Sequence, residues 1–256
     1  MEELKDLDRV ANSVRHAKRV LVITGAGISA DSGLPTYRGI GGLYNDNDTE
    51  EGMPIEVALS GEVMRQRPDI TWKHLAQIEA NCRHAKPNRA HEVIAQLQEI
   101  APTTVLTQNI DGFHRAAGSQ DLIEMHGTLF EIHCTQCGHM QKLKDYSGIT
   151  QFPPPCPDCG NGMRPSVVLF GEQLPGAAIQ RLEEVLDEGY DVVFSIGTTS
   201  VFPYIAQPFA VAGRIGALAI EVNPSTTGVS RFADVLWRCG AAVAMEQLWE
   251  RLVSPR

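Results

Sequence analysis

The chain has 256 residues, 43% hydrophobic and 21% charged, enough for one large globular domain or a large domain carrying a small one. Its 22 basic and 31 acidic side chains leave a formal charge of −9, which argues against nucleic acid as a partner and tolerates Lys-rich ones. No run of about 18 apolar residues is present, so neither a transmembrane helix nor a membrane partner is expected.

Leu4, Leu7, Val10, Ala11 and Val14 recur at spacings of three and four, so the first 17 residues read as an amphipathic helix. The same stretch lacks the basic start and apolar run of a signal peptide, and the expected compartment is the cytoplasm, where thiols stay reduced. Val20–Thr24 reads as a strand, followed by Gly25-Ala26-Gly27-Ile28-Ser29-Ala30. Strand, Gly-x-Gly-x-x-Ala and helix start together suit a dinucleotide pyrophosphate: the glycines permit close backbone approach, and the helix N-terminus offers N–H donors. Gly33 and Pro35 cut the helix short after Ile28–Ser32. Arg38-Gly39-Ile40-Gly41-Gly42-Leu43-Tyr44 then opens a polar loop, where a dehydrogenase would enter its second strand. That departure points to a cofactor used for something other than hydride transfer.

Helical patterns fill Pro54 to Cys82 with a break near Pro68, and Pro87 precedes a helix over Asn88–Ile100. Short strands and helices then alternate: strand Thr103–Thr107, helix near Phe113–Ala117, strand Leu122–Met125. The pattern breaks from His126 to about Arg164 and resumes with strand Val167–Phe170, helix Ile179–Asp187, strand Val192–Ile196, helix Ile205–Ala212, strand Ala217–Val222 and helix Met245–Leu252. The expected fold is α/β: a Rossmann-like parallel sheet with helices on both faces, plus a small domain made of a zinc ribbon and a helical insertion. Residues 1–44, 87–126 and 165–256 form the sheet domain in this reading; 45–86 and 127–164 form the small one. The oligomeric state has no sequence signal.

Within the second insertion, Cys134-Thr135-Gln136-Cys137 and Cys156-Pro157-Asp158-Cys159 present two Cys-x-x-Cys turns, each followed by a glycine. Each turn places two thiolates on one edge of a tetrahedron, and two turns close a structural zinc site with no open position for water. Redox dithiols or local disulfides are the alternatives. Cys82 and Cys239 stand alone and read as small buried apolar residues.

Ligands of an open α/β sheet lie beyond the carboxyl ends of its strands. There the chain carries Thr107-Gln108-Asn109-Ile110-Asp111, His126-Gly127, Gly197-Thr198-Thr199-Ser200 and Asn223-Pro224-Ser225. Capping or turn chemistry explains any one of these loops, and explains less well why all of them are polar on one edge. His126 at a strand end is a candidate base, since imidazole titrates near neutrality.

Gly25-Ala26-Gly27-Ile28-Ser29 with Tyr37-Arg38-Gly39, Thr107 to Asp111, His126-Gly127, the four cysteines, Phe170-Gly171-Glu172, Gly197-Thr198 and Asn223 occur in the order seen in sirtuins. From Val20 to about Leu252 the chain resembles that family of NAD-dependent protein-lysine deacylases, in its zinc-containing bacterial type. The resemblance implies that NAD is consumed as a co-substrate, that acylated-lysine proteins or peptides are the partners, and that zinc is structural. The acyl oxygen would attack C1′ of the nicotinamide ribose and expel nicotinamide, giving an O-alkylamidate. A base would then activate a ribose hydroxyl, and O-acyl-ADP-ribose and free lysine would follow.

By the same resemblance His126 is that base, and Asn109 and Asp111 join it as catalytic residues. Gly25, Ala26, Gly27 and Ser29 hold the pyrophosphate side; Gln108, Asn109, Ile110 and Asp111 meet the ribose and nicotinamide; Thr36, Tyr37, Arg38 and Tyr44 close over NAD. Gly197, Thr198, Thr199, Ser200, Asn223 and Ala241 line the phosphate and adenosine end. Val168, Leu169, Phe170 and Gly171 form the edge to which a substrate peptide adds as a strand.

Three departures from the family pattern stand out. Thr36-Tyr37 replaces Asp-Phe before the arginine, and Gly-Thr-Thr-Ser-Val-Phe-Pro is one residue short, which blurs the roles of Thr199 and Ser200. The helical stretch Ile70–Gln77 lacks the Tyr-x-x-Arg that binds a succinyl or malonyl carboxylate, so acetyl or longer apolar acyl groups are expected over succinyl. The competing readings are an ADP-ribosyltransferase or NAD hydrolase, a deacylase selective for longer acyl groups, and a module that only binds modified lysine. A dehydrogenase fits poorly, because Glu50 and Glu51 follow no strand.

Overall fold

The computed structural model describes residues 4–35 and 49–254. Its elements run α1 Leu7–His16, β1 Val20–Thr24, a 3₁₀ helix Ala26–Ser32, α2 Ile55–Ala58, α3 Gly61–Gln66, α4 Pro68–His84 and α5 Arg89–Leu97. Next come β2 Thr103–Thr107, α6 Phe113–Ala117, β3 Leu122–Glu124, β4 Gly127–Cys134, β5 Met140–Lys142 and β6 Met163–Val167. The chain ends with α7 Gly176–Glu188, β7 Val192–Ile196, α8 Pro203–Ile215, β8 Leu218–Val222, a 3₁₀ turn Ser230–Phe232, β9 Val235–Trp237 and α9 Ala241–Val253.

Six parallel strands form one sheet in the order β3-β2-β1-β7-β8-β9. This is the 3-2-1-4-5-6 order of a dinucleotide-binding fold, and its direction of winding reverses between β1 and β7. Strand side chains alternate between two cores. Val20, Val22, Val105, Phe194 and Ile220 pack under Val10 and Val14 of α1, Val93 and Leu97 of α5, and Met245 and Leu248 of α9. Leu21, Ile23, Leu106, Val193 and Ala219 pack under Leu182 and Val185 of α7 and Ile205 and Phe209 of α8. Both faces are covered, which is why the central strands read as continuous apolar runs.

The two insertions share a third core. Leu59, Met64, Trp72, Leu75 and Cys82 from the helices meet Leu129, Ile132, Tyr146, Met163 and Leu169 from the cysteine-bearing segment. Trp72 is its centre: its indole N–H donates to the Met163 carbonyl at 3.0 Å, and its ring stacks on Phe152 at 5.0 Å. Strands β5, β4 and β6 form a separate antiparallel sheet.

Several expectations change. The segment Val167–Phe170 does not add a strand to the parallel sheet. The strand there is β6, which pairs antiparallel with β4 and ends at Val167, past residue 164. Residues 168–170 run on extended, with Val168 N–H donating to His126 O and Phe170 N–H to Leu59 O. The turn after β1 is 3₁₀ rather than α-helical, and α1 starts at Leu7. Strands β4, β5 and β9 had no counterpart in the sequence reading. In β9 the central Leu236 is exposed, and three residues are too few to set a period.

Candidate functional site

The site lies at the carboxyl ends of the parallel strands, where β1 and β7 diverge. Gly27 N–H donates to the Gly197 carbonyl at 2.8 Å, bringing the first glycine turn against the loop after β7. A Cβ on Gly25 would come within 2.8 Å of Thr198, and one on Gly27 within 2.7 Å of Gly197. Only glycine permits this approach, which leaves a cradle of bare backbone at the switch point.

Hydrogen bonds lock the neighbouring loops around that cradle. Gln108 donates to Thr198 Oγ1 at 2.9 Å, and Asn223 donates to the Thr198 carbonyl at 3.1 Å. Thr24 donates to Thr107 Oγ1 at 2.9 Å, and Thr107 Oγ1 accepts from Asn109 N–H at 3.1 Å. Thr24 therefore accepts from His114 Nε2, also at 2.9 Å. The residues expected from the sequence at Gly25, Gly27, Gln108, Asn109, Gly197, Thr198 and Asn223 are thus brought together.

Deeper in, Asn109 and Asp111 meet Ser29. The Ser29 hydroxyl donates to Asp111 Oδ2 at 2.7 Å, and Asp111 Oδ1 accepts from Phe113 N–H at 2.9 Å. Burial pushes the Asp111 carboxyl above the usual range, and these two hydrogen bonds oppose the shift. Asn109 Nδ2 donates to the Gly25 carbonyl at 3.1 Å, while its Oδ1 is buried with no partner among the described residues. An orphaned acceptor in a buried place calls for a donor from a ligand. A cavity of about 40 Å³ sits here, lined by Ala26, Ser29, Asn109, Ile110 and Asp111 with Ile78, Asn81 and Cys82 of α4. A planar amide can donate to Asn109 and lie against Ile110, so the donor set fits the carboxamide of a nicotinamide.

His126 follows β3, half-buried. Its Nε2 lies 2.7 Å from the Tyr204 hydroxyl, and the Phe202 ring stands perpendicular to it at 6.0 Å. Burial lowers its pKa, and a backbone hydrogen bond to Gln108 works the other way. Its carbonyl accepts from Val168 N–H at 2.9 Å, which ties the imidazole to the expected peptide edge. Along that edge Leu169 N–H donates to Glu172 Oε2 at 3.0 Å, and Glu172 is held by Arg164 at 2.6 Å. The amides of Val168, Leu169 and Phe170 are therefore all committed within the chain, and Gly171 takes the turn at φ +80°.

Thr199 is exposed, whereas Ser200 is buried in a left-handed backbone at φ +53°, its hydroxyl 3.4 Å from that of Ser195. Ala241 opens α9, whose first turn is joined to the 3₁₀ helix by Ala242 N–H donating to Asp31 at 2.9 Å. Thr36, Tyr37, Arg38 and Tyr44 lie outside the described residues. Sequence reasoning missed Tyr204, because a tyrosine one place after Pro203 reads as an ordinary helix-start residue.

In the small sheet the four sulfurs of Cys134, Cys137, Cys156 and Cys159 lie within 4.8 Å of one another. The Cys134–Cys159 and Cys137–Cys156 pairs are 3.4 and 3.6 Å apart. Tetrahedral thiolates at about 2.3 Å from zinc sit about 3.8 Å apart, so the cluster fits that ion.

Residues 25–203 match the Sir2 family. The chain is 50% identical over 243 residues to NAD-dependent protein deacylase 2 of Pseudomonas syringae pv. tomato, covering 94% of this chain and 98% of that one. It is 35% identical to the NAD-dependent protein deacylase of Thermococcus sibiricus, covering 94% of each. Among solved structures, a Sir2 homolog–NAD complex superposes with a TM-score of 0.85 at 30% identity, over 98% of this chain and 96% of that one. A Sir2 complex with a p53 peptide and NAD+ superposes with a TM-score of 0.80 at 27% identity, over 94% and 96%.

Proposed function

The chain belongs to the Sir2 family and is an NAD-dependent protein deacylase with a four-cysteine zinc site; on that premise we propose how its residues divide the work. Gly25, Ala26, Gly27, Ser29, Gly197 and Thr198 receive the pyrophosphate; the glycines serve by letting it approach the backbone closely, since their own N–H groups are given to the carbonyls of Ile196, Gly197 and Val222. Asn109 and Asp111 orient the nicotinamide carboxamide, with Ile110 against its ring and Gln108 at the ribose. Ser200, Asn223 and Ala241 line the adenosine side; the exposure of Thr199 leaves it at the rim.

His126 is the base that takes a proton from a ribose hydroxyl once the acyl oxygen has displaced nicotinamide. The observation that carries this reading is the junction at His126: its imidazole meets the backbone of Gln108, in the loop expected at the ribose, and its carbonyl accepts from Val168 of the peptide edge. Because the amides of Val168 to Phe170 are already committed, and the carbonyls of Leu169 and Phe170 accept from Glu172 and Gly61, the substrate backbone pairs here by donating an N–H group to the Val168 carbonyl. The small domain is formed by the helical insertion and the zinc module together, which their shared core supports. Six unpaired cysteines suit the reducing cytoplasm.

The acyl group is acetyl or apolar rather than succinyl. Lys73, on α4, is paired to Glu50 and Glu51 at 2.6 Å, and His74 lies 3.1 Å from Glu51. Lys73 and His74 hold the Glu51 carboxyl down at about 2, and Lys73, engaged by two anions, is not free to pair a succinyl carboxylate. The test is NAD turnover against acetyl-, lipoyl-, succinyl- and myristoyl-lysine peptides, with products identified by mass. Acyl-ADP-ribose should form in step with nicotinamide. Nicotinamide release that ignores the acyl peptide would instead mark an NAD hydrolase or ADP-ribosyltransferase.

A further inference from the structure

His126 is enclosed by side chains of one neighbouring segment. Pro203 opens α8 with its fixed φ, and Tyr204 follows in the first turn. The Tyr204 ring is stacked on Phe202 at 5.5 Å with 12° between planes, and both rings stand nearly perpendicular to the imidazole. This pair fixes where the phenol hydroxyl points: 2.7 Å from Nε2 of His126. On the other side the ring meets the backbone of Gln108. Among the described residues no charged side chain acts on His126; Tyr204 is the titratable group that faces it.

The roles in these two contacts follow from chemistry. Burial pushes the Tyr204 phenol up to about 12, so it is a protonated donor at neutral pH. A backbone bond that favours the charged imidazole is one in which a ring N–H gives to the Gln108 carbonyl, and with Nε2 facing Tyr204 that nitrogen is Nδ1. A histidine's tautomer is set by the bond its other nitrogen makes.

We infer that Tyr204 is a positioning residue for the deacylation base: its hydroxyl donates to Nε2 of His126 and holds the imidazole with its proton on Nδ1 and its lone pair on Nε2. This rests on the reading of His126 as the base. The ribose hydroxyl displaces the phenol from that lone pair. Its O–H bond then breaks as N–H forms on Nε2, and the freed oxygen pair makes the new O–C bond to the acyl carbon while the C=N π pair of the O-alkylamidate withdraws onto the lysine nitrogen. Without Tyr204 only the Gln108 carbonyl biases the ring, and part of the population carries the proton on Nε2, where the base is blocked.

Tyr204→Phe keeps the ring and its stacking and removes only the hydroxyl. The variant should lower kcat for deacetylation about 5- to 10-fold, the worth of one hydrogen bond, with KM for NAD and peptide within about twofold. Exchange of free nicotinamide into NAD in the presence of acetyl peptide precedes the base step and should be unchanged. In ¹⁵N-histidine spectra the His126 signals, identified by their loss in His126→Ala, should show a single Nδ1–H tautomer in the parent and a mixture in Tyr204→Phe. An unchanged tautomer with unchanged kcat, or exchange falling together with deacetylation, overturns the inference. Retained deacetylation in His126→Ala overturns the base reading itself, which separates the two failures.

Discussion

The zinc module and the cofactor cleft are built in opposite ways. Each cysteine pair is set by a turn of four residues, and a metal joins the two pairs across a strand connection. The cleft instead draws on residues from 25 to 29, 107 to 111, 126, 197 to 204 and 223, and no bond shorter than the whole fold joins them. The module is a local design stabilised by one ion; the cleft is a global design stabilised by two apolar cores. Damage should therefore travel differently in the two regions.

The largest effect should follow loss of zinc. Structural zinc contributes about 10–16 kcal/mol to the folding of small metal modules. Chelation, or Cys156→Ser, should empty the site by metal analysis and expose the amides of β4 to β6 to hydrogen exchange, while β1, β2 and β7 stay protected. Equal protection loss in both sheets would dissolve the contrast, and a zinc-free variant with full activity would reject the structural role.

His126→Ala should have a local consequence. Deacetylation should fall about 10²- to 10⁴-fold, the usual contribution of a positioned base, with NAD affinity and melting temperature close to the parent. Calorimetric titration with NAD alongside turnover checks both halves.

A smaller effect is expected at the rim of α4. The parent should remove acetyl faster than succinyl by at least about tenfold on matched peptides, since Lys73 of α4 is already held by Glu50 and Glu51 and a succinyl carboxylate would be buried without a cation. Equal rates would place an unpaired cation in the acyl path.

The smallest effect concerns acid. His91, on α5, is buried against His114, and burial drops its pKa to about 4 and that of His114 well below 6.5. A depressed histidine binds fewer protons folded than unfolded, so its stabilisation is complete above about 6.5 and lost as pH falls toward about 4. Hydrogen exchange in α5 and α6 should rise across that window. No change there would mean that the unfolded chain protonates no more readily than the native one.

The same contrast explains what could be read in advance. Strands β1, β2, β7 and β8 were legible because both faces are buried, which leaves continuous runs such as Val192–Ile196. The metal site was legible because its spacing is its geometry. β6 was misplaced because Pro165 interrupts it, although its residues alternate between buried and half-buried. β4 was overlooked because its period is weakened by the bulge between Thr128 and Ile132.

The polar strand ends, the glycine turn and the cysteine pairs were determined by sequence alone, because each is a short-range pattern whose residues are neighbours along the chain. Only the tertiary structure decided that residues 168 to 170 lie outside the parallel sheet with their amides already paired, and that Tyr204 caps His126. Those outcomes depend on segments 42 to 111 residues apart packing to within a hydrogen bond, and no local periodicity encodes a contact of that kind.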